Sequence, residues 1–363
     1  MASVLLVLGR LDDGRPVNDA LRLVRALRDR HRFALVAPAG PLQAAFQREG
    51  VAHHAFPAGG FWQRGLGFRR ALGKALREHR AELVHVHGAP ELLLLARLAA
   101  LRRPFVLTLY PPPAAAGPEP PGPAAPHRLA AWAGRLARAV LVADPADAAR
   151  LREAGLPADR LRVLPRVVED PLAIPPPAPP WPPGFAAPGG VLVGTAAAPD
   201  GAGAGAGLRP ILDAFALITA QHPRVRLVIL DGGGDEGELR AWIRQRGLEN
   251  RIWLPERPVP VVPLLRYLDV FCSPAGEERA WVRCVEAMAS FVPVVAPRTE
   301  ALAAVVEEEE TGLLVAPGGI RSLAASLERL LHQPELRRRL GRAGRERYER
   351  EFSLRRLADE VDA

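Results

Sequence analysis

Lysine is almost missing from this chain: of its 48 basic residues, Lys74 alone is a lysine and the rest are arginine. That scarcity excludes chemistry, because neither a G-x-x-x-x-G-K-[ST] phosphate loop nor a convincing Schiff-base site can be found. Cysteine is as scarce. Cys272 and Cys284 are too few for a disulfide framework, and no Cys/His zinc cluster is present, so no metal is expected and both cysteines read as small buried apolar residues. Long apolar runs are missing too. The longest, ELLLLARLAAL from Glu91, is interrupted by Arg97 and closed by Arg102 and Arg103, which suits a buried helix better than a membrane span. The opening MASVLLVLGR has no basic n-region and reads as a first strand, not a signal peptide, so a cytoplasmic location is expected.

What remains is a chain of 363 residues with 48% hydrophobic content, long enough for two domains that each hold a core. The net charge is +8. An isoelectric point near 10.6 would permit nucleic-acid binding, but no aromatic-basic motif of a known kind supports it, and no nucleic-acid partner is expected.

Strand and helix patterns alternate along the first half. SVLLVL from Ser3 reads as a strand, and VNDALRLVRALRD carries apolar residues at 17, 20, 21, 24 and 27, a helical stripe. FALVA, ELVHVH, PFVLTLY, AVLVA and RLRVL follow as short apolar strands. The second half repeats the plan with VLVG, a helix from about Leu208, RLVIL, a helix from Asp235, RIWL, DVFC, PVVA and GLLV. Strands this apolar, alternating with amphipathic helices, imply parallel sheets covered on both faces. Between the halves lies DPLAIPPPAPPWPPGFAAPGG, a proline-rich stretch from Asp170 that reads as a linker. The expected architecture is α/β, with two Rossmann-like, doubly wound domains facing a cleft. Residues 1–170 would form the first, completed by a terminal helix over 352–363; 171–190 would be the linker and 191–351 the second. Ligands of such sheets bind beyond the carboxyl ends of the strands. Two low-complexity pieces fall at such ends: PPPAAAGPEPPGPAAP after Tyr110, and GAGAGAG from Gly201 to Gly207. The second precedes a helix, so its amides could cradle a phosphate, or it is an insertion without function.

The stretch EERAWVRCVEAMASFVPVVA reads as a helix running into a buried strand, and it carries Glu278 and Glu286. Eight helical steps advance roughly 12 Å and turn about 80° past two full turns. Carboxylates so placed could grip two ends of a hydroxyl-rich ligand, or could sit solvated on a helix rim.

In its motifs the chain resembles the retaining glycosyltransferases of family four, which have the GT-B fold. The family pattern resembles E-G-F-G-x-x-x-x-E-A-M-A-x-G-x-P-V-V-A, and here Glu278-Arg-Ala-Trp is followed by Glu286-Ala-Met-Ala-Ser-Phe-Val-Pro-Val-Val-Ala. EETGLLVAPGG from Glu309 is similar to E-T-G-L-L-V-x-P-G-D, and the stretch from ILDAF to GLENRIWL matches another family segment. The ending YEREFSLRRLADEV resembles the terminal helix that crosses back onto the first domain. The resemblance implies a nucleoside-diphosphate sugar as co-substrate, no cofactor and no metal; the absence of any D-x-D argues against the metal-dependent GT-A alternative. It implies that Glu278 faces the donor sugar, that Glu286 holds the ribose hydroxyls, and that Trp253 to Arg257, including Pro255, line the nucleobase pocket. It extends the donor site to Gly194, Thr195, Gly207, Arg209, Gly233, Arg279, Val285 and Arg298. His87 and Tyr110 would join Glu278 at the chemistry, and the acceptor would be a glycan or a lipid-linked one.

The chain departs from the pattern at the chemistry. The family's arginine after the first second-domain glycine reads Thr195, and its lysine before the next helix reads Ala206. Arg279 and Trp281 replace two glycines, RTEALAA from Arg298 replaces D-x-G-G-x-P-E, and Arg166-Val167 replaces N-G. In the first domain RLDDGRPVN replaces a glycine-rich loop and Tyr110 replaces a histidine. Arg209, Arg279 and Arg298 are the cations expected to border the same cleft. Three readings stand: a retaining glycosyltransferase transferring a hexose-type sugar in cell-surface polysaccharide or glycoconjugate assembly, a non-catalytic member binding a nucleotide sugar or a partner protein, and a sugar-nucleotide epimerase.

Two further features are weighed on the residues alone. His85 and His87 lie on one face of a strand; without a carboxylate or cysteine beside them they read as structural or acceptor-facing and not as a metal pair. Residues 61–80, FWQRGLGFRRALGKALREHR, hold six basic residues, one Glu and three aromatics. They suit contact with an anionic membrane at the inner face of the cell membrane, or are a solvated helix.

Overall fold

The computed structural model describes residues 1–12, 14–57, 61–88, 103–110, 130–132, 134–142, 145–186, 188–197, 205–232, 236–274 and 280–362. The segment ELLLLARLAAL, the proline-rich piece after Tyr110, and Gly233, Glu278 and Arg279 lie outside them. The chain divides into two units, Met1–Arg166 with Leu354–Ala363, and Val167–Ser353.

In the first unit the elements run β1 (Ser3–Leu8), α1 (Arg15–Leu27), β2 (Arg32–Ala37), α2 (Gln43–Arg48), β3 (Ala52–Ala55), α3 (Phe61–Glu78), β4 (Leu83–His87), β5 (Phe105–Thr108), β6 (Ala139–Val142), α4 (Pro145–Glu153) and β7 (Leu161–Val163). Among the described residues the strands form one parallel sheet in the order β3-β2-β1-β4-β5-β6-β7. The stripe Val17, Ala20, Leu21, Val24 and Leu27 is buried, as its helical spacing requires. The final helix, Leu354–Asp362, is held to the unit by Arg30, which donates to Asp359 and Asp362 at 2.8 Å each.

The second unit runs β8 (Val191–Ala196), α5 (Gly205–Thr219), β9 (Val225–Asp231), α6 (Glu236–Gln245), β10 (Ile252–Trp253), α7 (Val261–Leu264), β11 (Val270–Cys272), α8 (Ala280–Ala289), β12 (Val294–Pro297), α9 (Glu300–Ala303), β13 (Gly312–Val315), α10 (Ile320–His332) and α11 (Pro334–Arg347). Its parallel sheet has the order β10-β9-β8-β11-β12-β13. Both faces are covered. Along β9, Leu227 and Ile229 join a core with α5, α6 and α10, while Val228 and Leu230 join another with α7, α8 and Trp181. That is the period-two alternation of a strand with no wet side.

The proline-rich stretch does not hang free. Arg266 donates to the carbonyls of Pro171 (2.6 Å) and Ile174 (2.8 Å), and the Tyr267 hydroxyl donates to that of Pro177 (2.9 Å). Trp181 is buried edge-on against Trp253 and Tyr267, with ring centroids 5.9 Å apart in each case. Arg345 grips Asp170 with both terminal nitrogens, at 2.9 and 2.7 Å. Composition signalled a spacer, but an aromatic anchor and two arginines fasten it to the second unit.

Helix α8 ends in a residue of the wrong kind. Phe291 donates to the Met288 carbonyl and Val292 to that of Ala287, the paired bonds of a Schellman turn, and Phe291 sits at φ 63°. The family pattern has glycine at this position, where a left-handed backbone is free of Cβ penalty.

Candidate functional site

In each sheet the chain starts in the middle and reverses direction, so the second unit has its switch point between β8 and β11. Crevices at the carboxyl end of such a point are where doubly wound sheets bind ligands. A pocket opens at the carboxyl ends of β11, β12 and β13, lined by Gly207, Pro210, Ser273, Val295, Pro297 and Gly319 among others. Gly207 lies in the first turn of α5, and Gly319 is the N-cap of α10. Two helix starts therefore border one pocket, and the positive end of a helix dipole favours an anion. No charged side chain is among its described lining residues.

Helix α8 follows β11 and carries the second glutamate. Glu286 is buried and does not sit on a solvated rim: its Oε2 accepts from Nη1 of Arg283 at 2.9 Å, with side chains 11% and 9% exposed. The Arg283 Nε is buried without a partner. One turn of helix brings the two together, because residues three apart share a face. Away from bulk water this pair is electrostatically strong and fixes the carboxylate's orientation. Arg283 went unnoticed in the sequence, although the i, i+3 spacing to Glu286 was visible within the quoted stretch. Cys284, between them, has its thiol pushed up to about 12 by burial, with a hydrogen bond to Ser273 acting the other way. Cys272 is likewise pushed up to about 12 by burial. Neither thiol forms a thiolate near neutral pH, which fits the reading of both as packing residues.

The remaining donor-site positions scatter by role. Gly194 is a packing glycine, since a Cβ there would lie 2.2 Å from Cδ1 of Leu268. Val285 is enclosed in the core. Thr195 is buried, and its hydroxyl has no hydrogen-bond partner. Arg209 is exposed on α5 and leans 5.7 Å from the centroid of the Trp242 ring. Arg298 pairs with Glu308, whose carboxylate also accepts from the Leu314 amide. Neither arginine is among the described lining residues. Trp253 meets Trp181 edge to face, the carbonyls of Leu254 and Pro255 accept from Arg240, and Arg257 is exposed.

In the first unit the switch point lies between β1 and β4, and His87 ends β4 there. His85 and His87 are both buried, with ring centroids 4.0 Å apart. His85 shares a hydrogen bond with Thr108 at 2.7 Å, and His87 Nδ1 lies 3.5 Å from the Tyr110 hydroxyl. The other nitrogen of His87 is buried without a partner. Burial pulls His85 down to about 3, and burial with the neighbouring His85 holds His87 well below its ordinary value. Both imidazoles are neutral at pH 7, so His87 offers a hydrogen bond but not a stored proton. Gly88, at φ 62°, lets the strand end approach Tyr110 and Pro16: a Cβ there would lie 3.1 and 3.0 Å from them.

These units match known proteins. Residues 18–170 match the model described as Glycosyltransferase Family 4, and residues 205–347 the model described as Glycosyl transferases group 1. A D-inositol 3-phosphate glycosyltransferase of Saccharomonospora viridis is 33% identical over 160 residues, 41% of this chain and 37% of that protein. A phosphatidyl-myo-inositol mannosyltransferase of Mycobacterium leprae is 35% identical over 143 residues, 39% of this chain and 37% of that protein. The matches thus span less than half the length of these curated relatives. The solved structure of Anabaena Alr3699/HepE in complex with UDP covers 100% of this chain and 98% of its own, with a TM-score of 0.70 at 18% identity, a likeness of fold. One model matches each unit, and the chain belongs to the GT-B glycosyltransferase family that the two describe.

Proposed function

We propose that this chain is a sugar-nucleotide-dependent, retaining glycosyltransferase. It passes a hexose-type sugar to a glycan or lipid-linked acceptor in cell-surface polysaccharide or glycoconjugate assembly. The observation that carries the reading is the buried carboxylate of Glu286, held by Arg283 on the helix that follows the switch-point strand. A carboxylate accepts only, and it can take bonds from two adjacent ribose hydroxyls while Arg283 occupies another of its lone pairs. The diphosphate would meet the helix starts at Gly207 and Gly319, where amides stabilise the charge that builds on the leaving group. A phosphate oxygen of that leaving group would take the acceptor's proton, so no protein nucleophile is needed. Glycosyltransferase names among relatives at 33 and 35% identity, and UDP in the Anabaena structure, support this reading.

The acceptor's location favours a surface contact. The exposed side of α3 carries Arg69, Arg70, Lys74 and Arg77, and Leu66 stands 60% exposed. We propose that this face meets anionic lipid from the cytoplasmic side; among the described residues no helix is long and apolar enough to cross a membrane.

Calorimetric titration with nucleoside diphosphates and monophosphates tests the donor site. Tighter binding of a diphosphate than of its monophosphate is expected, and equal binding of both would sink the reading. The non-catalytic alternative draws on the pocket's lack of a charged lining residue among those described. Release of sugar or product from a bound donor separates the two, because a binder turns nothing over.

A further inference from the structure

Strand β3 is the edge of the first sheet, and it presents a cluster that the donor site does not use. His54 lies on this strand; Glu78 ends α3 and His79 follows it. The Nε2 atoms of His54 and His79 are 2.8 Å apart, and Glu78 Oε2 is 3.8 Å from that of His54. The two rings meet edge to face, with centroids 5.0 Å apart, and one donor atom from each of the three residues lies within 4.8 Å of the others. We propose that His54, Glu78 and His79 form a divalent transition-metal site that fastens the edge strand to the end of α3.

Two imidazole nitrogens and a carboxylate oxygen are a borderline-soft donor set of the kind zinc takes, with a fourth position left for water. As the two nitrogens stand, one must carry a proton and donate to the other. A metal replaces that proton and satisfies both lone pairs together. Tetrahedral geometry with metal–nitrogen bonds of about 2.0–2.1 Å would place the nitrogens about 3.3 Å apart. The rings need to open by roughly half an ångström, a rotamer adjustment. The Glu78 side chain is 50% exposed and can swing inward. Lys74 lies 3.8 Å from its other oxygen and opposes the cation from outside. The backbone is better fixed: the His79 carbonyl accepts from the Ser3 hydroxyl at 2.8 Å, which ties the helix end to β1. Among the described residues only this trio brings three donor atoms together; of the other histidine pairs, His85 and His87 are buried and His222 meets His332 edge to face without a third ligand. Both cysteines are buried, His53 shares a hydrogen bond with the Ala37 carbonyl, and His31 meets the single carboxylate of Asp362. The ligands stand 24 positions apart and then adjacent, a spacing that gives no metal motif and explains why the sequence led us to expect none.

The test is a Zn²⁺ titration of the full chain, free of any affinity tag and stripped with chelator, followed by calorimetry and by competition with a chromogenic chelator. We expect one site, weakened at least tenfold in His54→Gln and in His79→Gln and several-fold in Glu78→Gln. Wild-type melting should rise with added Zn²⁺, and that of the histidine variants should not. Co²⁺ should give visible bands of a low-coordinate site in wild type alone. Zn²⁺ affinity equal in wild type and in the His54→Gln, His79→Gln double variant would overturn the proposal, as would the absence of binding. Should a histidine variant fail to fold, the half-exposed Glu78→Gln decides alone: undiminished affinity there refutes the assigned ligand set.

Discussion

Replacing Glu286 with alanine perturbs two properties at once, and the structure separates them. The truncation removes the proposed ribose acceptor, and it also strands Arg283, 9% exposed and with its Nε already unpartnered, as a buried charge. Removing one member of a buried pair costs about 3 to 5 kcal/mol. For a unit the size of Val167–Ser353, at about 2 to 4 °C per kcal/mol, melting should fall by roughly 6 to 20 °C. Loss of nucleotide binding in this variant would therefore be ambiguous. The double variant Arg283→Met, Glu286→Gln resolves it, because it leaves no charge behind and keeps the volume filled; such replacements are often neutral in stability. Its melting temperature should return to within a few degrees of wild type, while calorimetry at a temperature well below melting should detect no nucleoside diphosphate. A Glu286→Ala protein that melts with wild type would refute the buried pair. A double variant that keeps wild-type affinity would refute the ribose assignment.

Acidification should weaken the first unit. His85 and His87 are neutral when folded, with pKa values far below those they have when unfolded, so from about pH 6.5 downward the unfolded chain binds the extra protons. Their contribution is complete above pH 6.5 and is lost on acidification; by pH 5 His85 alone should account for about 2 kcal/mol, with His87 adding in the same direction, read as the difference in denaturation midpoint between wild type and a His85→Gln, His87→Gln variant at each pH. Phe291→Gly should stabilise the second unit by about 1 kcal/mol by relieving the left-handed backbone at the end of α8, offset by losing the cation–π contact with Arg345 at 5.5 Å; a drop in melting temperature would show that the contact wins. Trp181→Ala should cost about 3 to 5 kcal/mol, since it empties a buried position between Trp253 and Tyr267; a change under 1 kcal/mol would mean that the proline-rich stretch is a loose spacer after all.

Both sheets were legible in the sequence because fully buried parallel strands are short apolar runs, and helices such as α1 repeat their apolar residues every three or four positions. Motif spacing located α8 and Glu286 as well. What it left out was set by three-dimensional neighbours. Whether Glu286 is wet or buried depends on Arg283 and on the elements packed over α8, and composition marks neither. The docking of the proline-rich stretch rests on Trp181 meeting Trp253 and Tyr267, residues more than seventy positions away. Arg209 and Arg298 were expected to border the site because of where they stand in the sequence; which neighbours their side chains take, Trp242 for one and Glu308 for the other, is not written in that spacing.

The chain thus handles charge by position more than by number. It carries 47 arginines, yet the described lining of the pocket holds no charged side chain, while the carboxylate on α8 has a cation of its own. Arg283 donates to that carboxylate at 2.9 Å, so turning it toward a diphosphate would uncover Glu286. On the reading proposed above, Arg283 orients the acceptor oxygens and offsets their burial, and ribose hydroxyls would donate to the same carboxylate. On that reading the arrangement would favour a ligand group that is neutral and rich in donors at α8, with its negative charge held away at the helix starts. A nucleoside diphosphate has that distribution, with ribose hydroxyls apart from its phosphates, and a dicarboxylate does not.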